Sequence, residues 1–248
     1  MRNRRFRQRA LLPALAILAL ATFSYPQTEA PLLLQDPTVS KTDVVFVYAG
    51  DLWSVPLQGG DAKRLTTGVG VETHPCFSPD GAQIAYETIP DSAASFPPAK
   101  VWVMNPDGTD RRPLSDQADG GRGYRPYWSP DGHLLAFVSR EAGDPVRNNI
   151  HLVELATGVE RELLPLEAQH NYDPCWSPDG NRLVFVSDRS GADEVWGINV
   201  DGTGLQQLTN DGQSKRFPLW LAPRWDSSFL PGIQSCIEAS WGSGICEL

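Results

Sequence analysis

The chain has 248 residues, enough for one large domain or two small ones, and a repeat architecture would make it one continuous body. It carries 21 lysines and arginines against 30 acidic residues, a formal net charge of −9 at pH 7. An acidic surface repels nucleic acid and anionic membranes, so neither is an expected partner, and its general effect is solubility.

In chain order, residues 1–30 read as a targeting segment. Arg2, Arg4, Arg5, Arg7 and Arg9 form a basic region ahead of an apolar stretch, Ala10 to Thr22. That stretch is short of the roughly 20 residues that cross a bilayer as a helix. Thr28 and Ala30 place small residues at −3 and −1 of a cleavage after Ala30. The expectation is a signal peptide over 1–30 and a periplasmic or secreted protein with no membrane span after cleavage; the other reading is an uncleaved N-terminal anchor. Loss of five arginines and Glu29 would leave 16 basic against 29 acidic residues, a body of charge −13.

From residue 31 to about 220 two signatures alternate. A hairpin pattern starts at Leu52–Leu65, Val101–Leu114, Ile150–Leu163 and Val195–Leu208, each with 13 positions from its first apolar residue to its closing leucine. Its turns contain Gly59–Gly60, Asp107–Gly108, Thr157–Gly158 and Asp201–Gly202, the chemistry of tight hairpins. Between hairpins stands proline, any residue, an aromatic, then Ser-Pro-Asp-Gly. The turns are Ser78-Pro79-Asp80-Gly81, Ser129-Pro130-Asp131-Gly132 and Ser177-Pro178-Asp179-Gly180. Their aromatics Phe77, Trp128 and Trp176 are 51 and 48 residues apart. Proline presets φ at the second position of a type I turn, and Asp and Gly suit the later ones. Short apolar runs follow at Gln83–Tyr86, Leu134–Val138 and Leu183–Val186, consistent with buried strands.

Each repeat thus predicts four strands: one leading into the aromatic, one after the Ser-Pro-Asp-Gly turn, and two in the hairpin. A four-stranded unit cannot bury both faces alone, but units stacked around an axis can. The expected fold is therefore all-β, a propeller of roughly four four-stranded blades, either a closed ring or an incomplete, truncated one. The count is a hairpin-only start, three full repeats and the start of a fifth. Trp53, Trp102 and Trp196 share one hairpin slot with His151, and Trp128, Trp176 and Trp220 share the slot of Phe77; both slots read as packing between blades. Cys76 and Cys175 occupy one slot of two repeats and are expected to stay unpaired, whereas Cys236 and Cys246 could bridge in the tail. The loop before the second hairpin is the longest and carries Pro90–Pro98, either a partner-binding insertion or a tolerated one.

The phrase Trp-Ser-Pro-Asp-Gly before an apolar strand, and hairpins ending in Arg64–Leu65–Thr66 or Gln207–Leu208–Thr209, resemble the WD-like repeats of the TolB family of periplasmic propellers. The opening run from Asp43 to Thr66, followed by Glu72–Gly81, resembles the amino-terminal propeller of tricorn-type proteases and some exported amidohydrolases. The resemblance implies a propeller serving as a protein- or peptide-binding scaffold; the alternative it implies is the amino-terminal propeller of a tricorn-like serine protease or related hydrolase. Fold alone does not choose between them. A TolB-like protein would have an α/β domain before its propeller, for which residues 31–43 leave no room, and a tricorn-type protease would continue into a catalytic portion.

Pro218–Leu219–Trp220 begins a fifth motif that continues as Leu221–Leu230 without Ser-Pro-Asp-Gly. Residues 221–248 are expected to be an atypical tail, from truncation or a frame shift of a longer protein or as a divergent cap that closes the ring. An open ring would predict self-association. No GxSxG, HExxH, Walker or GxGxxG pattern occurs. His74, His133, His151 and His170 lie in separate repeats without paired carboxylates at fixed spacing, and Asp80, Asp131 and Asp179 recur as turn residues. The expectation is no catalytic residue, no cofactor and no metal.

Overall fold

The structure, a computed structural model, describes residues 34–68, 70–91, 99–114, 122–141, 147–164 and 170–212. These residues form sixteen strands in four antiparallel sheets of four, all in one unit spanning Leu33–Leu248. Blade I is β1 (Gln35–Val39), β2 (Asp43–Tyr48), β3 (Asp51–Pro56) and β4 (Lys63–Arg64). Blade II is β5 (Val71–Phe77), β6 (Ile84–Ile89), β7 (Lys100–Met104) and β8 (Arg112–Pro113). Blade III is β9 (Arg122–Trp128), β10 (Leu134–Glu141), β11 (Arg147–Glu154) and β12 (Glu160–Glu162). Blade IV is β13 (Asn171–Trp176), β14 (Arg182–Ser187), β15 (Glu194–Asn199) and β16 (Gln206–Gln207).

Every strand pairs with its neighbour in sequence, as short turns require of a meander. The architecture is the expected all-β propeller, with four blades among the described residues. Blade I is complete, however, and not a hairpin-only start. Its β1–β2 turn is Ser40-Lys41-Thr42-Asp43, which lacks the Pro-Asp-Gly that marks the others. The Ser40 Oγ nonetheless accepts the Asp43 N–H at 3.0 Å, and the Ser40 N–H reaches the Asp43 carbonyl at 2.8 Å.

Alternation along the second and third strands sends successive side chains to opposite faces, and each face meets a different blade. Val45, Val47 and Leu52 of blade I pack with Ile84, Tyr86 and Met104 of blade II. Ala85, Val101 and Val103, on the other face of blade II, join Leu135, Phe137 and Val153 of blade III. Ala136, Ile150 and Leu152 then meet Trp176, Leu183, Phe185 and Ile198 of blade IV. Burial on both faces explains why these strands read as apolar runs without a polar alternate. Phe137 and Phe185 are wholly buried, each stabilising by about 2–3 kcal/mol. Among the described residues the contacts run from each blade to the next and do not close the ring.

Candidate functional site

The three Ser-Pro-Asp-Gly turns share one geometry. In the first, the Gly81 N–H donates to the Ser78 carbonyl (2.8 Å), and the Ser78 Oγ accepts from the Gln83 N–H (2.9 Å) and donates to Asp80 Oδ1 (2.6 Å). Asp80 Oδ1 also accepts the Ala82 N–H at 2.9 Å. Ser129 and Asp131 repeat this with Leu134 and His133, and Ser177 and Asp179 with Arg182 and Asn181. The serine hydroxyl and adjacent N–H groups hold all three carboxyls below the usual carboxylate range. The closing glycines have φ of 71–76°, where a side chain would be strained. Successive turns stand beside one another: a Cβ on Gly132 would lie 3.7 Å from Pro79, and one on Gly180 3.7 Å from Pro130.

The two indoles of the aromatic slot tie blades together. The Trp128 Nε1–H donates to the Cys76 carbonyl and the Trp176 Nε1–H to the Tyr127 carbonyl, both at 3.0 Å and both onto the first strand of the preceding blade. Trp220 lies outside the described residues. Cys76 and Cys175 lie in separate blades and form no disulfide, as their slot implied; Cys236 and Cys246 lie outside the described residues. Burial pushes the Cys76 thiol up to about 12, and it donates to the Pro126 carbonyl at 3.2 Å.

The first strand of each blade carries a bulge that the sequence reading missed. Asp36, His74, Arg125 and Asp173 occupy it, each just before a proline, at φ of 46–54°. Left-handed backbone at a residue with a Cβ costs about 1–2 kcal/mol, and here it recurs once per blade. Three of these side chains, those of Asp36, Arg125 and Asp173, link neighbouring blades. Asp36 Oδ2 accepts from the Thr73 hydroxyl (2.9 Å) and the His74 N–H (3.3 Å), and the Arg125 guanidinium meets the Asp173 carboxylate. The recurring X-Pro was the available signal.

The four histidines do not occupy four separate blades, since His133 and His151 both belong to blade III, and the rings of His74 and His151 find carboxylates. His74 Nδ1 lies 3.2 Å from Glu87 Oε2, across the β5–β6 pair. His151 Nδ1 lies 2.7 Å from Glu160 on β12, in the slot that holds tryptophan in the other blades. The His170 backbone N–H donates to Asp188 Oδ1 at 2.8 Å, and its ring stacks on Tyr172. Both histidine–glutamate pairs bridge adjacent strands of one blade. Among the described residues no group of three or more His, Cys, Asp or Glu is arranged to hold a metal ion, and no helix is long and apolar enough to cross a membrane.

Residues 31–170 match the family described as the tricorn protease N-terminal beta propeller domain. The chain is similar to a TolB homolog of Chlorobium luteolum, 28% identical over 216 residues, covering 70% of this chain and 48% of that protein. It is also similar to the tricorn protease of Thermoplasma acidophilum, 27% identical over 120 residues, covering 46% of this chain and 11% of that one. Among solved structures, the putative TolB from Agrobacterium tumefaciens is 25% identical with a TM-score of 0.58, over 75% of this chain and 65% of that chain. The chain spans about half or less of the length of these two curated relatives.

Proposed function

The chain belongs to the tricorn protease N-terminal beta propeller family, and from that premise we propose that it is an exported, non-catalytic propeller that serves as a binding scaffold for a protein or peptide. The observation that carries this reading is the use made of the titratable groups. The turn aspartates close their own loops, Asp36 and Asp173 link neighbouring blades, and the histidine–glutamate pairs bridge strands within blades. These groups build a rigid body that presents loops, the usual setting for recognition. The TolB-like relatives agree with a scaffold role. Export rests on the basic and apolar segment of residues 1–30, with the propeller from residue 31 to about 220 and residues 221–248 as a separate tail.

The second reading is that the chain is the amino-terminal propeller portion of a tricorn-like protease or related hydrolase, and its support is the family match itself together with the tricorn protease relative. One experiment separates the two. The purified full chain is assayed against fluorogenic peptides, and in parallel immobilised to capture a partner from the envelope fraction of its source. The scaffold reading expects a stoichiometric partner, displaced by excess soluble chain, and no turnover. Peptide hydrolysis that co-purifies with the chain, or capture of a polypeptide bearing a protease core, would favour the second reading. N-terminal sequencing of the exported protein should begin at Pro31; recovery of the intact N-terminus from the cytoplasm would contradict export.

A further inference from the structure

The face that carries the Ser-Pro-Asp-Gly turns opens into clefts between adjacent blades. The cleft between blades II and III is about 410 Å3 and is lined by Asp80, Gln83, Asn105, Trp128, Asp131 and His133, with no lysine or arginine in its lining. The two carboxylates come from different blades. In each, Oδ1 takes both hydrogen bonds of the turn, while Oδ2 has no hydrogen bond among the described residues. Trp128 is half-buried, and its N–H is committed to the Cys76 carbonyl, so toward a ligand its ring offers carbon surface and no hydrogen-bond donor. The Asn105 amide is likewise committed, to the Thr109 hydroxyl at 2.9 Å.

Two comparisons inside the molecule indicate what such a cleft takes. In the neighbouring cleft, between blades I and II, Lys41 stands where the other turns have their proline. It lines the same space as Phe77 and Asp80, and its charge acts on Asp80. At the next turn along, Asp179 Oδ2 is capped by the Asn181 amide at 3.1 Å, which leaves that carboxylate no unused oxygen. Of the three Ser-Pro-Asp-Gly turns, those of Asp80 and Asp131 leave one carboxylate oxygen without a hydrogen bond among the described residues.

We propose that the cleft between blades II and III binds the side-chain cation of a partner polypeptide, a lysine ammonium or arginine guanidinium, against the Trp128 ring and the carboxylates of Asp80 and Asp131. A cation on an aromatic face and a charge-assisted hydrogen bond to a carboxylate each favour such a group, and the acidic body adds to its attraction. The inference rests on the scaffold reading and gives it a place and a chemistry.

The test uses the full chain labelled with 15N-tryptophan and titrated with N-acetyl-lysine methylamide, with N-acetyl-norleucine methylamide as the uncharged counterpart. The expected result is a saturable shift of the Trp128 indole signal by the lysine compound alone. Asp80→Asn or Asp131→Asn, which keep an oxygen for the turn, should weaken binding at least threefold. Asp179→Asn removes the same charge and should leave it unchanged. An unmoved Trp128 signal, equal binding of the norleucine compound, equal weakening by Asp179→Asn, or a shift produced by maltose and not by lysine would each overturn the assignment. The probe needs no natural partner, so failure here is distinct from failure of the scaffold reading. A captured partner indifferent to both aspartate variants would remove this site and leave the scaffold, whereas intact lysine binding without any partner would do the reverse.

Discussion

Gly108 shows how much one residue decides. It sits in the blade II hairpin at φ +87°, and a Cβ there would lie 2.9 Å from the Leu65 carbonyl oxygen of blade I, a backbone atom that cannot swing away. Gly158, at φ +72° in the equivalent hairpin of blade III, has nothing within 4 Å of that position. Gly158→Ala should therefore cost only the left-handed strain, about 1 kcal/mol. Gly108→Ala should add overlap with a neighbouring blade and cost about 2–3 kcal/mol by urea unfolding. Cys76 yields a second prediction. With its thiol pushed up to about 12 by burial, it stays protonated at neutral pH and should react with a disulfide reagent far more slowly than an unhindered cysteine does. The turn aspartates set a pH dependence. Their folded-state pKa values lie below the unfolded ones, so their contribution is full above the unfolded carboxylate value of 3.8 and lost as pH falls through the folded values. Replacing Asp80, Asp131 and Asp179 with asparagine should flatten the acid side of the stability profile measured by thermal melts. The groups are exposed, so the change is small.

At the scale of elements, the blade is a device for giving each sheet two covered faces. Trp176 joins both kinds of contact: its ring is in the core between blades III and IV, and its N–H is on the Tyr127 carbonyl. Trp176→Phe keeps most of the apolar contact and removes the hydrogen bond, and should cost about 1–2 kcal/mol. Much of this was legible in the sequence, because turns with Ser-Pro-Asp-Gly and hairpins with closing leucines depend on residue types that few other local structures need. The first two strands of blade I were not legible. Ser40-Lys41-Thr42-Asp43 reproduces the serine hydrogen bond with none of the proline, glycine or spacing by which the other turns are recognised. The bulges were hidden for the opposite reason. Left-handed backbone is usually betrayed by glycine, and here it is imposed by the strand pairing on Asp36, His74, Arg125 and Asp173. The clefts were invisible because each is made by residues of two blades, about 50 positions apart in the chain, whose proximity depends on the blade stacking itself.

At the scale of the whole molecule, the described residues hold three inter-blade cores in series, each built from two blades and none from one. A blade cannot unfold without exposing its neighbour, so coupling between nearest neighbours should make the body melt as a unit despite its repetition. Ile84 is wholly buried in the first of these cores, between blades I and II, and Ile84→Ala should cost about 2–4 kcal/mol. The measurement that tests this account most directly is equilibrium urea unfolding of the full chain and of Ile84→Ala, followed in parallel by tryptophan fluorescence and far-ultraviolet circular dichroism. The account predicts one transition, coincident in both probes, that moves as a whole to lower urea in the variant. Two separated transitions, of which Ile84→Ala shifts only one, would contradict it by showing that the blades fold as independent units.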